Sequence, residues 1–155
     1  MMNKAIEKVK NMENKMFCYQ CEQTAGCTGC TGNTGVCGKS ANTARLQDEL
    51  TGALIGLARA VGGNEHLVTE EMNQLVLEGL FTTVTNVNFN DETLKILIYK
   101  IENAKKKLVP NCFTCSGSCG RNDNFDMNTL WTTDEDVRSL KSLILFGIRG
   151  MAAYA

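Results

Sequence analysis

Five of the eight cysteines stand in one stretch, CYQCEQTAGCTGCTGNTGVCG, running from Cys18 to Gly38. Cys18 and Cys21 form a C-x-x-C pair, and Cys27, Cys30 and Cys37 follow. Two thiolates so spaced can reach one metal from a tight turn, and cysteine supplies the soft anionic sulfur that zinc and iron–sulfur clusters prefer. From Gly26 to Gly38 every third residue is glycine. Glycines let a loop close round a bulky centre and aim backbone N–H groups at its sulfurs. The run is not collagen-like, since it is short and contains no proline.

A disulfide framework is the competing use for such a cluster of thiols. Secreted disulfide proteins carry signal peptides, and residues 1–15, MMNKAIEKVKNMENK, have no apolar core of that kind. Ile6, Val9 and Met12 instead recur at helical spacing, which predicts a short leader helix with no function of its own. No apolar run approaches the roughly 20 residues needed to cross a bilayer. A reducing, cytoplasmic setting is expected, in which clustered cysteines bind metal more often than they pair. A choice such as Cys18-x2-Cys21-x8-Cys30-x6-Cys37 matches neither ferredoxin spacing, so the pattern leaves zinc and iron–sulfur both open.

The segments MFCYQCEQT, TGC, GVCGKS and TARLQDEL, then GLFTTVTNVNF and EDVRSLKSLILFGIRGMAAYA, resemble the hybrid cluster proteins, the prismane or hydroxylamine reductase family. The likeness touches most of residues 16–155. It implies that Cys18, Cys21, Cys30 and Cys37 hold an iron–sulfur cluster, [4Fe-4S] as in most members or [2Fe-2S] as in some. Cys27 falls in the spacer. The resemblance also implies an oxidoreductase that reduces hydroxylamine to ammonia and water. In the family that chemistry belongs to a hybrid iron–sulfur–oxygen cluster in later domains, which are absent here. The expectation is therefore an N-terminal electron-transfer portion, residues 16–155 behind the 1–15 leader, supplied by a donor such as a small redox protein. It would not be a competent reductase by itself, and no catalytic residue is assigned.

Cys112, Cys115 and Cys119, in NCFTCSGSCGRN, form a second constellation that could hold a second cluster or a zinc ion, with Cys27 as the one thiol left to complete it. Two rival functions follow from the cysteines alone: a structural zinc-binding interaction module, or an iron–sulfur redox sensor.

Helices must position these loops. Leu46, Leu50, Leu54, Leu57 and Val61 predict a helix from about Thr43 to Val61, stopped by Gly62-Gly63. A second helix begins near Thr69, with the stripe Met72, Leu75, Val76, Leu80 and Val84. A third follows Asn90-Asp91, carries Leu94, Leu97, Ile98, Ile101 and Leu108, and ends before Pro110. Thr133-x-x-Asp136 reads as the capping-box start of a fourth, with Val137, Leu140, Ile144, Ile148 and Met151. The fold class is all-α, a helical bundle with a cysteine-rich loop near the N-terminus. Leu143, Leu145 and Phe146 widen the last stripe, so this helix is expected to want the later domains or a second copy as a partner. The single histidine, His66, is expected on a surface loop, Trp131 and Phe125 in the bundle, and Met72 and Met151 as core fillers. Lys105–Lys107 read as the positive last turn of the third helix. A net charge of −1 suggests neither nucleic acid nor an anionic membrane as a partner.

Overall fold

The computed structural model describes residues 16–21, 29–62, 65–84, 88–108 and 123–155. These contain α1 (Ala41–Val61), α2 (Glu70–Thr82), α3 (Asp91–Leu108), α4 (Met127–Trp131) and α5 (Glu135–Ala152), with a 3-10 turn at Glu65–Leu67. Among the described residues the only β pairing is two isolated bridges, so the architecture is all-α as expected. No helix among them is long and apolar enough to cross a membrane. The leader 1–15 lies outside the described residues.

Each helix start has a side chain for its orphan N–H groups. Ser40 Oγ accepts from Thr43 N at 3.0 Å, Thr69 Oγ1 from Met72 N at 3.3 Å, and Asn90 Oδ1 from Glu92 N at 3.0 Å. The last helix corrects the sequence reading by one residue. Asp134, not Thr133, caps α5 and accepts from Asp136 N at 3.0 Å. The Thr133 hydroxyl is already donating to Leu130 O at 2.8 Å, closing the short α4 that periodicity could not reveal.

Leucines at helical spacing build one core from three helices. Leu46, Leu50, Leu54 and Leu57 of α1 meet Met72 and Leu75 of α2 and Leu94, Leu97 and Ile101 of α3. Val84 falls just beyond the end of α2. Apolar burial of this kind contributes about 1.5–3 kcal/mol per large side chain. Two glycines of α1 serve a different purpose. A Cβ on Gly52 would run into the Phe125 carbonyl oxygen, and one on Gly56 would stand 3.0 Å from Asp123 O. Their absence gives segment 123–125 a flat strip to cross, where Phe125 N donates to Gly52 O at 3.1 Å. Phe125 thus packs on the bundle, with the Arg59 guanidinium 5.1 Å from its ring centroid.

Helix α5 does not sit as its apolar stripe predicts. The residues turned inward are Arg138, Ser142, Leu145, Arg149 and Ala152, and of these only Arg149 is fully buried. The stripe Val137, Leu140, Ile144, Ile148 and Met151 lies roughly 100° round the helix and is exposed. Met151, expected as a core filler, is 72% exposed, whereas Met72 is buried. The cause is Arg149, whose guanidinium donates to Thr83 Oγ1 at 3.0 Å and Thr51 Oγ1 at 2.8 Å and so fixes the helix rotation. His66 is exposed in the 3-10 turn, as expected. Lys105–Lys107 do form the last turn of α3, but Lys105 is buried, bonded to Glu102 at 3.1 Å and Asn124 at 2.6 Å.

Candidate metal centre

The cysteine loop is a small hairpin folded onto the N-terminus of α1. Cys18 and Cys30 face each other across an antiparallel bridge and exchange both backbone hydrogen bonds, each 3.0 Å, while Met16 N donates to Gly32 O. In such a pair the two side chains leave on the same face, with Cβ atoms about 5 Å apart. Gly29 makes the register possible: its φ is +54°, and a Cβ there would lie 2.8 Å from Cys18 O. Met16, Cys18 and Ala44 form a second, smaller core beneath the hairpin, joined by Cys30 and Ala41.

The chain then turns back through a loop closed by Gly38 N donating to Gly35 O at 2.9 Å and Gly35 N to Lys39 O at 2.8 Å. Gly38 has φ +84°, a conformation open to glycine at little cost. Val36 and Cys37 stand at the exposed corner of this turn, and Ser40 enters α1 directly. Cys18, Cys30 and Cys37 are free thiols, buried, half-buried and exposed respectively, and Cys21 is half-buried. The structure thus brings Cys18 and Cys30 side by side. Among the described residues no three His, Cys, Asp or Glu side chains converge closely enough to hold a metal ion. Cys27, Cys112, Cys115 and Cys119, with the second constellation they were expected to form, lie outside the described residues.

Polar side chains underlie the hairpin. Lys39, 2% exposed, sends Nζ to Gln47 Oε1 at 2.5 Å, to Gln20 Oε1 at 3.1 Å and to Cys18 Sγ at 3.8 Å. The amides are oriented by what lies beyond: Gln47 Nε2 donates to Asn88 O at 2.8 Å, and Gln20 Nε2 to Asp48 Oδ1 at 3.4 Å. Burial pushes the Cys18 thiol up, opposed by the Gln20 backbone N–H and by the Lys39 ammonium. Asp48 is pushed up to about 6, first by burial, against the hydrogen bond from Gln20 and the charges of Arg149 and Lys39. Arg149, lowered to about 10 by burial, stays charged at neutral pH, held by Asp48 and Cys18. Thr51 links the two ends, donating to Gln47 O at 2.9 Å while accepting from Arg149. A polar spine therefore runs from Cys18 through Lys39 and Gln47 to Arg149 of α5.

Aromatic rings cover the outside of the hairpin. Tyr19 stacks on Trp131 at 4.4 Å, and Phe17 lies edge-on to both. Trp131 therefore packs against the cysteine loop rather than in the bundle, because the short α4 carries it there. Between the hairpin, α1 and segment 124–128 lies a cavity of about 420 Å³, into which Asp48 and Asp126 face.

An all-α domain with a cysteine hairpin seated on its first helix is the class that the fold and the site define. A sequence profile of the Prismane/CO dehydrogenase family matches residues 16–155, and the chain belongs to that family. It is 40% identical to a hydroxylamine reductase of Desulfovibrio desulfuricans over 93% of this chain and 29% of the relative. It is 42% identical to one of Bacteroides thetaiotaomicron over 90% of this chain and 28% of the relative. A third, from Methanocella arvoryzae, is 39% identical over 90% of this chain. The chain spans less than a third of the length of these relatives.

Family membership implies an iron–sulfur cofactor. The hairpin suits one: two thiols share a face in Cys18 and Cys30, and the buried Lys39 ammonium faces the Cys18 sulfur, where it favours an anionic thiolate and an anionic centre. Sequence reading missed Lys39, Gln20, Gln47, Asp48 and Arg149. Gln20 sits inside the C-x-x-C pair and Lys39 follows Cys37 by two residues, but neither position signals that its side chain is buried.

Proposed function

We propose that this chain carries the electron-accepting iron–sulfur site of a hydroxylamine reductase. Cys18, Cys21, Cys30 and Cys37 are its ligands and the cluster is [4Fe-4S], with [2Fe-2S] as the alternative nuclearity. The observation that supports this reading most directly is the Cys18–Cys30 pair, two free thiols in register on one face with a cation behind them. Such a cluster relays single electrons without binding substrate. The protein supplies what would tune that relay: the Gln20 backbone N–H at the Cys18 sulfur, burial of Cys18, and the aromatic cover of Phe17, Tyr19 and Trp131.

In the full-length enzyme, hydroxylamine would take two electrons and two protons, its N–O bond breaking to give ammonia and water. A one-electron donor such as a small redox protein would feed the site in a reducing, cytoplasmic compartment. A fully cysteine-ligated centre offers no exchangeable position for the reacting nitrogen, so the 155-residue chain alone is not expected to turn over. The later domains of longer relatives, or a second copy, would cover α5.

Anaerobic purification with quantitation of iron, acid-labile sulfide and zinc tests the reading. Iron and sulfide are expected, with bleaching by dithionite and no ammonia from added hydroxylamine above a reagent blank. Cys→Ser at 18, 21, 30 or 37 should abolish or severely weaken iron binding, while Cys27→Ser retains it. Full iron in Cys37→Ser would sink the ligand set, and stoichiometric zinc without sulfide would make the domain a structural zinc module.

A further inference from the structure

Lys39 is an unusual resident of a protein interior. Its side chain is almost wholly buried, yet its three neighbours within bonding distance are all uncharged groups: the amide oxygens of Gln20 and Gln47 and the thiol of Cys18. Among the described residues no carboxylate pairs with it, the two ion pairs there being Lys95–Glu92 and Lys105–Glu102. Asp48 feels the Lys39 charge at a distance, but its hydrogen bond goes to Gln20 rather than to Nζ. On the remaining side Nζ lies 5.8 Å from the Phe89 ring centroid, where the ring face offers it a weak attraction. A buried cation without an anion is costly, and buried charges are found paired or at functional sites. The fold makes a deliberate arrangement for this one. Both glutamines turn their oxygens toward Nζ and are held so by Asn88 O and Asp48.

We propose that Lys39 is the fixed positive charge that sets the reduction potential of the cysteine-held centre, acting through its contact with Cys18 Sγ. This rests on the cluster reading given above. Thiolate ligands make such a centre a net anion, and gaining one electron from an external one-electron reductant makes it more negative by one charge. A cation held against a buried ligand sulfur stabilises the reduced form more than the oxidised form. Charge and hydrogen bonds to sulfur are two of the levers that set cluster potentials. The same contact completes the ion pair that Lys39 otherwise lacks. Lys39 is thus a tuning residue, and the sulfur of Cys18 is the atom through which it works.

The test uses the whole 155-residue chain made anaerobically, with iron and sulfide assayed and the midpoint potential measured by dye-mediated titration. Lys39→Met keeps the length of the side chain and removes its charge. It should make reduction at least tenfold less favourable, a fall of about 59 mV for one electron. Lys39→Arg should restore most of that shift. Gln47→Glu keeps Lys39 in place but pairs it with a carboxylate, and it should lower the potential in the same direction. An unmoved or raised potential in either Lys39→Met or Gln47→Glu with full iron content overturns the proposal. Loss of iron from both also overturns it, because Lys39 would then be needed to build the hairpin rather than to set its charge. A wild-type chain without iron and sulfide would sink the cluster reading itself, a result distinct from these.

Discussion

At the scale of single residues, the polar groups under the hairpin make the most specific claims. Asp48 is raised above an ordinary carboxylate chiefly because it is buried, and its folded value of about 6 exceeds the unfolded one. Between those two values the folded state binds the extra proton, so this group stabilises the fold at low pH. That contribution is lost as pH rises through about 6. Wild-type stability should therefore fall by on the order of 1–2 kcal/mol between pH 4 and pH 7 from this group, and Asp48→Asn should flatten that slope. Urea denaturation at several pH values checks it; an unchanged slope in Asp48→Asn would assign the pH dependence elsewhere. None of this was visible in the sequence. Lys39, Gln47 and Arg149 are residue types normally placed at the surface, and only the contacts they make on folding reveal why they are inside. The cysteines were legible because thiols at short spacing have few other uses. Their burial order, with Cys18 inside and Cys37 at a turn corner, was not, since it depends on the register fixed by Gly29 and Gly38.

At the scale of elements, four helices were readable because an apolar residue recurs every three or four positions, and in three of them that stripe is also the buried one. The reading failed where burial and apolarity part company. In α5 the inward stripe is centred on Arg149, and the apolar stripe faces out. Arg149→Ala should remove two buried hydrogen bonds and leave the Thr51 and Thr83 hydroxyls short of a donor. A loss of about 2–4 kcal/mol is expected, read by thermal denaturation, together with faster amide exchange across residues 135–152. The glycines give a matched contrast. Gly52→Ala collides with backbone at Phe125 and should cost about 1–3 kcal/mol. Gly147→Ala meets nothing within 4 Å in a helix interior and should add about 0.5–1 kcal/mol. Equal effects at the two positions would contradict the crossing of segment 123–125 over α1.

At the scale of the whole molecule, the exposed side of α5 is the feature that a 155-residue chain alone leaves unmatched. Leu140, Leu143, Ile144 and Met151 are each more than 60% exposed along one helix. Apolar surface so arranged drives association, so light scattering should show growth in mass with concentration, reversed by Ile144→Lys. A clean monomer at high concentration would show that this face needs no partner. The two cores have a further consequence. The larger, built by α1, α2 and α3, contains no residue of the hairpin, and the smaller, around Met16 and Cys18, makes its apolar contact with α1 through Ala41 and Ala44. The helical platform has a core of its own leucines that does not depend on the hairpin. The thiols of the hairpin are presented on that mount. Loss of the hairpin should therefore leave the helical platform standing.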